Sequence, residues 1–385
     1  MLITRLRLKN WRNFREVDVQ LGPRGFVIGA NASGKSNLLD VFRFLRTLAQ
    51  TEGGGLQKAI KERGGLGKLR SLHARRDPEV RIEVELSDSA ELNVPTWRYA
   101  LAFKSEGKGQ QRVLITEESV DHLGQEVLRR PDDSDASDTD RRTQTHLEQI
   151  NNNARFRAVV DCFAATTYLH LVPQLLKHSS EIGARALEND PFGQGLLQRI
   201  AKTSKKTRDA RIGRIAKALA QAVPLFSELR FEQEPVTGLW HLEANFTHWR
   251  VNGAWQREDQ FSDGTLRLIG LLWSLQEGDG LLLLEEPELS LNDGIVEHIP
   301  LMIDRVLRFA RMPSRQVLIS THSEVLLAKV SDAQMVLLIE PGANGSTVRA
   351  PSGDEKQAVE NGLNAAEVLL PKTRAQRLDQ LGLFA

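Results

Sequence analysis

Near the start of the chain, two glycines, a lysine and a serine stand at a spacing that suits a phosphate group. Residues 29–36 read Gly-Ala-Asn-Ala-Ser-Gly-Lys-Ser and match the pattern G-x-x-x-x-G-K-[ST] in full. The glycines let the backbone turn its N–H groups toward phosphate oxygens, and a helix start adds partial positive charge. The Lys35 ammonium would reach the β- and γ-phosphates, and the Ser36 hydroxyl would bind Mg²⁺. We therefore predict an ATP-binding loop with these residues: Gly29, Asn31, Ser33, Gly34, Lys35, Ser36 and Asn37.

Two adjacent carboxylates follow a run of four leucines. Residues 281–284 are all leucine, and Glu285, Glu286 and Pro287 come next. Consecutive leucines indicate a strand that is buried on both faces, and α/β sheets place their ligand chemistry at the carboxyl ends of such strands. One acid can hold Mg²⁺ through water, and the other can polarise the water that attacks a γ-phosphate. The alternative is a buried strand that ends in a solvated acidic turn, which the phosphate loop upstream disfavours.

Two further polar clusters lie next to apolar segments. Residues 316–319 read as an apolar strand, and His322 follows shortly after it. Its imidazole could touch the γ-phosphate and report hydrolysis, although a lone histidine is more often a surface or core residue. Ser262 and Gly264 precede an apolar helix at 268–275. A hydroxyl, a glycine and a helix start together make an anion site, and an ordinary helix cap is the alternative.

The phosphate loop requires a strand before it and a helix after it. Residues 25–28 are short and apolar, as in a buried strand, and residues 37–45 have helical spacing. One face of that helix collects its apolar side chains: Leu38, Val41, Phe42 and Leu45. Periodicity predicts four further regions: a strand at 2–8, an antiparallel β-region from 81–86, 97–103 and 112–115, helices from about 144 to 230, and alternating helices and strands after 260.

Composition excludes several classes of protein. The chain has 385 residues with a net charge of +1, so global charge predicts no partner. The single cysteine, Cys162, excludes a disulfide framework and a cysteine-based zinc cluster. There is no run of 18 apolar residues, so we expect no membrane span, and the first residues do not read as a signal peptide. We expect a cytoplasmic protein that does not span a membrane.

Taken in chain order, these motifs resemble the ABC-type ATPase heads. Residues 29–36 are similar to the Walker A motif, residues 281–286 to Walker B with its following glutamate, and His322 to the switch histidine. Residues 262–264 stand where the ABC signature would be. The run Leu-Arg-Leu-Lys-Asn-Trp-Arg-Asn-Phe at 6–14 resembles the opening of the SMC/RecF/OLD-like branch, a group that acts on DNA.

The resemblance covers residues 1–50 and 255–335. The run Glu-Glu-Pro-Glu at 285–288, with Glu in place of the usual Walker B Asp, looks most like OLD-type and related "AAA family ATPase" proteins. The implied fold is α/β, a P-loop NTPase with an ABC-ATPase-type head, in which a mixed sheet core and an antiparallel β-subdomain accompany a helical insertion. We divide the chain into five segments: 1–125, the first lobe with Walker A; 126–143, a flexible acidic loop; 144–235, a mostly helical insertion; 236–340, the second lobe with signature, Walker B and switch histidine; and 341–385, a C-terminal tail.

The resemblance also implies roles for the residues. In such heads, ATP on the Walker A motif of one subunit is closed over by the signature of another. This implies a homodimer in which Ser262 and Gly264 contact the γ-phosphate of the partner's ATP. Glu286 would be the general base or would position the water, while Ser36 and Glu285 would serve Mg²⁺. The implied catalytic residues are Glu286, His322 and Lys35.

The sequence departs from the family pattern at several places. The signature lacks the second glycine and the glutamine of Ser-Gly-Gly-Gln, and Asn292 and Asp293 stand where His-Pro is often seen. Gln57 and Gln174 are both candidates for the Q-loop. The sequence has no sustained heptads like those of SMC coiled coils. The residues after Ser323 are too few for the Toprim nuclease domain of OLD proteins, so we expect any nuclease or other effector to be a separate chain.

The first functional hypothesis is an ATPase, slow without its trigger, that dimerises on ATP and switches a DNA-linked complex in DNA repair or anti-phage defence. Lysines and arginines at 199–217 would contact DNA phosphates, and a solvated helix face is the slightly favoured alternative. A second hypothesis is a slow ATPase sensor that restrains a toxin or nuclease without binding DNA. A transporter's nucleotide-binding subunit is a third, which the Glu-Glu-Pro-Glu run and the N-terminal strand disfavour.

Overall fold

The computed structural model describes most of the chain, which forms two compact units. The first unit comprises Met1–Thr167, Asp279–Leu283 and Ala310–Ala385, and the second comprises Tyr168–Gly278 and Leu284–Phe309. The described residues are 1–74, 77–88, 94–107, 112–178, 190, 192–247, 254–309, 315–330 and 332–373. Among the helices in these ranges, none combines the length and the apolar character that crossing a membrane requires.

A six-stranded mixed sheet carries the predicted phosphate loop. Its strands are β3 (Arg24–Gly29), β8 (Thr167–Leu169), β12 (Leu281–Glu285), β13 (Gln316–Ser320), β14 (Val336–Glu340) and β15 (Thr347–Arg349). Their order across the sheet is β15-β14-β3-β13-β12-β8. β3 runs parallel to both of its neighbours, β13 and β14, and β3 and β13 are buried throughout. Continuous apolar runs are typical of such doubly covered parallel strands.

A second six-stranded sheet in the first unit is antiparallel. Its strands are β1 (Leu2–Trp11), β2 (Phe14–Gln20), β4 (Val80–Ser87), β5 (Trp97–Ser105), β6 (Val113–His122) and β7 (Gln125–Arg130), in the order β2-β1-β4-β5-β6-β7. Leu6 of β1 lies opposite Val19 and Val84, so one face of the sheet is apolar at this register. The predicted antiparallel β-region is confirmed.

Helix α1 (Lys35–Ala49) follows the loop, and its apolar face is buried as predicted. The Phe44 ring lies between those of Trp11 and Phe103, with centroid distances of 5.2 and 5.8 Å. This aromatic contact joins α1 to β1 and β5. The other helices of the first unit are α2 (Leu56–Glu62), α3 (Leu66–Leu69), α4 (Asp133–Ser137), α5 (Arg157–Ala164), α12 (Glu324–Ala328), α13 (Gly353–Glu360) and α14 (Ala365–Thr373).

The prediction of a flexible acidic loop at 126–143 is wrong. This segment contains most of β7, helix α4 and a 3-10 turn at Thr139–Thr143. The buried Arg130 guanidinium pairs with Glu118 at 2.9 Å and with Asp135 at 2.7 Å. Buried charges need such partners, because an unpaired one is costly. Arg130 therefore organises a segment that has few apolar residues of its own.

The second unit has a small antiparallel sheet and several helices. The sheet contains β9 (Phe226–Gln233), β10 (Trp240–Phe246) and β11 (Ala254–Arg257), in the order β11-β10-β9. Its helices in the described ranges are α6 (Pro173–Lys177), α7 (Leu196–Lys202), α8 (Lys205–Ala222), α9 (Asp263–Gln276), α10 (Asp293–Val296) and α11 (Ile299–Phe309). The stretch predicted as a helical insertion, 144–235, thus also contains the strands β8 and β9.

Candidate functional site

The predicted phosphate loop joins β3 to α1, which is the strand–loop–helix context that its motif requires. Ala32 and Gly34 both have positive φ, at 60° and 115°. A Cβ atom at Gly34 would lie 2.2 Å from the Asn13 side-chain nitrogen, so this position requires glycine for space as well as for conformation. The loop returns on itself through a hydrogen bond from the Ser33 N–H to the Ala30 carbonyl at 3.1 Å.

Lys35 and Ser33 are the buried polar residues of the loop. The Lys35 ammonium donates hydrogen bonds to the carbonyls of Gly29 at 3.1 Å and Ala30 at 3.3 Å. Its side chain therefore lies along the loop, within reach of an anion bound to the loop. Ser33 is completely buried, and its Oγ has no hydrogen-bond partner among the described residues. A bound phosphate could supply that partner. Ser36 and Asn31 are exposed.

The side chains of Asn13 and Ser346 form hydrogen bonds to the loop, and the sequence did not predict either of them as a site residue. Both side chains donate hydrogen bonds to the Ser33 carbonyl, Asn13 at 2.6 Å and Ser346 at 2.7 Å. The Asn13 Oδ1 also accepts a hydrogen bond from the Asn37 side chain at 2.8 Å. Asn13 lies in the N-terminal run that carried the family resemblance, which is a signal that could have led to it. Ser346 had no such signal.

A buried ion-pair cluster anchors the first turns of α1. Asp40 pairs with Arg63 at 2.8 Å and with Arg12 at 2.7 Å. Burial alone would raise the pKa of Asp40, but the two guanidinium groups outweigh it and hold this pKa below its usual value. The helix that follows the phosphate loop is therefore held by charge, as well as by apolar packing, to the residues that directly follow β1 and α2.

His322 lies at the same sheet edge as the phosphate loop. β3 and β13 are parallel, with Ser320 opposite Val27, and the Thr321 N–H donates to the Val27 carbonyl at 3.1 Å. Both strands therefore end at one edge, and the exposed His322 follows directly. Ser323 caps α12 through its hydroxyl, which accepts from the Leu326 N–H. The structure brings together the predicted loop and the predicted histidine in the first unit.

Within the second unit, Glu285 ends β12, Glu286 follows it, and both are partly exposed. The Tyr168 hydroxyl donates to Glu285 Oε2 at 2.5 Å, and the His170 Nδ1 lies 3.3 Å from the Glu285 carbonyl oxygen. Glu286 has φ of 44°, in the left-handed region that non-glycine residues rarely adopt. Such strained conformations are concentrated at functional sites, because the surrounding structure must hold them in place.

The predicted signature lies at the start of α9. The Ser262 hydroxyl accepts from the Thr265 N–H at 3.2 Å, so Ser262 is a helix cap. A Cβ atom at Gly264 would lie 2.5 Å from the Ser290 carbonyl oxygen. Glycine therefore lets the loop after Glu286 approach the helix start. Asp263 accepts hydrogen bonds from Lys177 at 2.8 Å and from Gln174. The hydrogen bond from Lys177 does most to lower the pKa of Asp263.

One family model matches residues 26–328, which is most of the chain. Its description is "AAA domain, putative AbiEii toxin, Type IV TA system". The chain belongs to this family, AAA_21.

Curated relatives of this AAA_21 protein are similar to it over short segments. The chain is 32% identical over 91 residues to "DNA replication and repair protein RecF" of Clavibacter michiganensis subsp. michiganensis, which covers 23% of this chain and 22% of that protein. It is 48% identical over 46 residues to the RecF of Chlamydia caviae, 12% of each chain. The chain thus matches about a fifth of the length of the first relative and about an eighth of the second.

Solved structures show the fold over nearly the whole chain. "Crystal structure of the SmcHead bound to the C-winged helix domain of ScpA" matches with a TM-score of 0.55 and 15% identity, covering 92% of this chain and 99% of that one. An Smc head with an extended coiled coil from Pyrococcus furiosus, bound to the C-terminal domain of ScpA, matches with a TM-score of 0.53 and 14% identity, covering 94% and 98%. The predicted fold class and the resemblance to an ABC-type ATPase head of the SMC/RecF branch are confirmed.

The two Q-loop candidates of this AAA_21 chain are both engaged elsewhere. The Gln57 amide donates to the carbonyls of Val113 at 3.0 Å and Thr143 at 2.8 Å. This ties α2 to β6 in the first unit. Gln174 donates to Asp263 at the signature helix in the second unit. Neither contact involves Glu285 or Glu286.

In the basic segment 199–217, the arginines contact other residues of the second unit, although Arg214 is exposed, and the lysines face solvent. Arg208 lies over the Trp240 ring, 4.5 Å from its centroid, and Arg211 lies over the Trp273 ring at 5.2 Å. The remaining arginines make polar contacts in the same unit: Arg214 with Gln276 and Arg199 with Glu277. The exposed lysines are Lys202, Lys205, Lys206 and Lys217.

The oxygen donors predicted for Mg²⁺ are a hydroxyl and a carboxylate. Ser36 is exposed at the first turn of α1, and Glu285 is partly exposed at the end of β12. Mg²⁺ prefers hard oxygen ligands, commonly one or two carboxylates together with substrate phosphates. In the part of the chain that the structure describes, no group of three or more His, Cys, Asp and Glu residues could hold a metal. The donor chemistry fits a metal that arrives with a nucleotide.

Proposed function

We propose that this chain binds and hydrolyses ATP with Mg²⁺, and that it dimerises with ATP held between two heads. The observation that carries the proposal is the phosphate loop, whose complete motif lies between a buried strand and a helix, with Gly34 in the left-handed region. Two further observations support it: the buried Ser33 hydroxyl has no hydrogen-bond partner in the described part of the chain, and the Lys35 ammonium donates to two carbonyls of the loop.

The proposal gives each residue one task. The N–H groups of the loop and the Lys35 ammonium bind the β- and γ-phosphates, and Ser36 and Glu285 supply oxygens to Mg²⁺. When bound, Mg²⁺ would neutralise negative charge on the phosphate oxygens. Glu286 positions the attacking water or takes its proton, and His322 contacts the γ-phosphate. Two residues act on the ATP of the partner subunit: Ser262 and Gly264.

We further propose that the dimer switches a DNA-linked complex in the cytoplasm, in DNA repair or anti-phage defence, and that a separate chain supplies any nuclease or effector activity. The similarity to RecF proteins, named for DNA replication and repair, supports this role. The Smc heads of similar fold are bound to ScpA domains, which is a precedent for a partner protein on such a head. The exposed lysines at 202–217 are the groups that would contact DNA phosphates.

A sensor that restrains a toxin or nuclease without binding DNA is the second candidate. The packing of Arg208 and Arg211 over tryptophan rings favours it, because these guanidinium groups already have partners within the second unit. The four exposed lysines then form an ordinary solvated face. ATP binding and turnover are common to both candidates, so the response to DNA separates them.

The first test compares wild type with Glu286→Gln. We expect the variant to bind ATP with about wild-type affinity, to lose turnover by about a hundredfold or more, and to accumulate as an ATP-bound dimer. Steady-state ATPase assays and light scattering measure these quantities. A variant that binds ATP and stays monomeric would count against the two-head arrangement, and full turnover would remove Glu286 from its role.

The same assays with double-stranded DNA decide between the two candidates. Stimulated turnover that disappears in a quadruple variant with Lys202, Lys205, Lys206 and Lys217 changed to Gln supports the DNA-linked role. The matched control changes four exposed lysines of the first unit: Lys61, Lys68, Lys104 and Lys372. If DNA changes neither turnover nor dimerisation of the wild type, the sensor is the better account.

A further inference from the structure

Two side chains from the segment around β8 hold Glu285 at both its carboxylate and its backbone. The Tyr168 hydroxyl donates to the Glu285 Oε2, and the His170 ring nitrogen Nδ1 contacts the Glu285 carbonyl oxygen at 3.3 Å. Residues two apart along an extended strand point to the same side. Tyr168 and His170 therefore approach Glu285 together, within the second unit.

The other tyrosine of the chain shows what a purely structural tyrosine–glutamate contact looks like. Tyr99 donates to Glu118 at 3.3 Å, and Glu118 is completely buried. Glu118 also accepts from two backbone N–H groups and from Arg130. Glu285 differs because it is partly exposed at the carboxyl end of an interior strand, where ligand chemistry is placed in α/β sheets. The Tyr168 ring is itself buried, so its hydroxyl is held in place by packing.

We propose that Tyr168 and His170 are positioning residues that orient Glu285 toward the Mg²⁺ of a bound nucleotide. This inference rests on the proposed function, in which Glu285 serves that metal. A free glutamate side chain samples several rotamers, and a hydrogen bond to one of its oxygens selects among them. Fixing one carboxylate oxygen in this way also fixes the position of the other. Partners of metal ligands typically contribute 10- to 100-fold, roughly, to metal affinity.

The test measures nucleotide binding as Mg²⁺ is varied, and needs no turnover. A fluorescent ATP analogue is titrated into wild type and Tyr168→Phe, first in EDTA and then at increasing Mg²⁺. We expect equal affinities in EDTA, within about twofold, because the phosphate loop is intact. The Mg²⁺ concentration that gives half of the affinity gain should rise about tenfold in the variant. Tyr99→Phe removes the other tyrosine hydroxyl and should leave both quantities unchanged.

A double-mutant cycle separates positioning from general damage. If Tyr168 acts through Glu285, adding Tyr168→Phe to Glu285→Gln should change the Mg²⁺ requirement little beyond the effect of Glu285→Gln alone. Additive effects would show that Tyr168 acts elsewhere and would overturn the proposal. A Tyr168→Phe titration that superimposes on wild type would overturn it too.

Two further arms keep the test decisive. Should Tyr168→Phe fail to fold, His170→Ala takes its place, with a smaller shift in Mg²⁺ requirement expected, while His170→Asn retains a donor and should recover most of it. A His170→Ala titration that matches wild type then overturns the proposal. If the wild type binds no nucleotide with or without Mg²⁺, the proposed function fails and this inference fails with it. If the wild type binds nucleotide but the Tyr168 variant behaves like it, only this inference fails.

Discussion

The phosphate loop at 29–36 and the acidic segment at 126–143 are both short polar stretches at the end of a strand, and the sequence predicted the conformation of the first but not of the second. The loop turns between β3 and α1, as its glycine spacing indicates. The acidic segment looked like a solvated linker, yet it folds around Arg130 with Asp135 buried. The conformation of the loop depends on the spacing of its own residues, whereas that of the acidic segment depends on a partner residue on β6.

The comparison teaches that composition alone is a weak guide to order. Acidic residues usually indicate a solvated loop because a charge is costly to bury. Here the cost is offset, since Arg130 also donates to the carbonyls of Gln144 and Arg141. The pKa of Asp135 falls to about 2, because the hydrogen bonds and charge of Arg130 outweigh its burial. A single buried cation thus converts an acidic stretch into an ordered one.

The largest expected effect is a loss of ATP binding or turnover in a variant that still folds. Lys35→Ala should reduce ATP binding or turnover by at least about a hundredfold, because the ammonium is a charge placed for the phosphates. Its effect on stability should be smaller, since it removes the hydrogen bonds of one side chain to two loop carbonyls. ATPase assays and urea unfolding measure the two quantities, with exposed Lys217→Ala as the control. Unchanged ATPase activity would remove the site assignment.

The acidic segment should show the opposite pattern, with loss of stability. Arg130→Met leaves Glu118 and Asp135 buried without their cation, which should cost about 3–5 kcal/mol of unfolding free energy. The neighbouring Arg129→Met is the matched control, because Arg129 pairs with Glu126 on the surface and should cost less than about 1 kcal/mol. Urea unfolding monitored by circular dichroism compares them. Equal stabilities would show that the segment does not depend on its buried cation.

The smallest expected effect concerns the phosphate loop and a residue far from it in sequence. The substitution removes a distant hydrogen-bond partner of the loop. Asn13→Ala should cost about 1 kcal/mol of stability and weaken ATP binding several-fold, since Ser346 still donates to the Ser33 carbonyl. Asn153→Ala removes a similar amide-to-carbonyl hydrogen bond, to Leu147, away from the loop. It should lose comparable stability and keep wild-type ATP affinity. Equal affinities for the two variants would mean that Asn13 does not position the loop.

The sequence by itself determined the features that depend on neighbouring residues. The spacing of Gly29, Gly34 and Lys35 predicted the turn between β3 and α1, and helical periodicity predicted the buried face of α1. Four leucines predicted the buried strand that ends at Glu285. These signals are local, because a turn, a helix face and a strand are each specified within a few residues.

Only the tertiary structure decided which distant side chains support those features. Asn13 meets Ser346 across 333 positions of sequence, and Tyr168 meets Glu285 across 117. No periodicity or motif relates residues so far apart, and the contact of Tyr168 with Glu285 depends on the sheet order that places β8 beside β12. The acidic segment was mispredicted for the same reason. Its partner Glu118 lies on β6, and a buried ion pair forms only once packing has removed water from both groups.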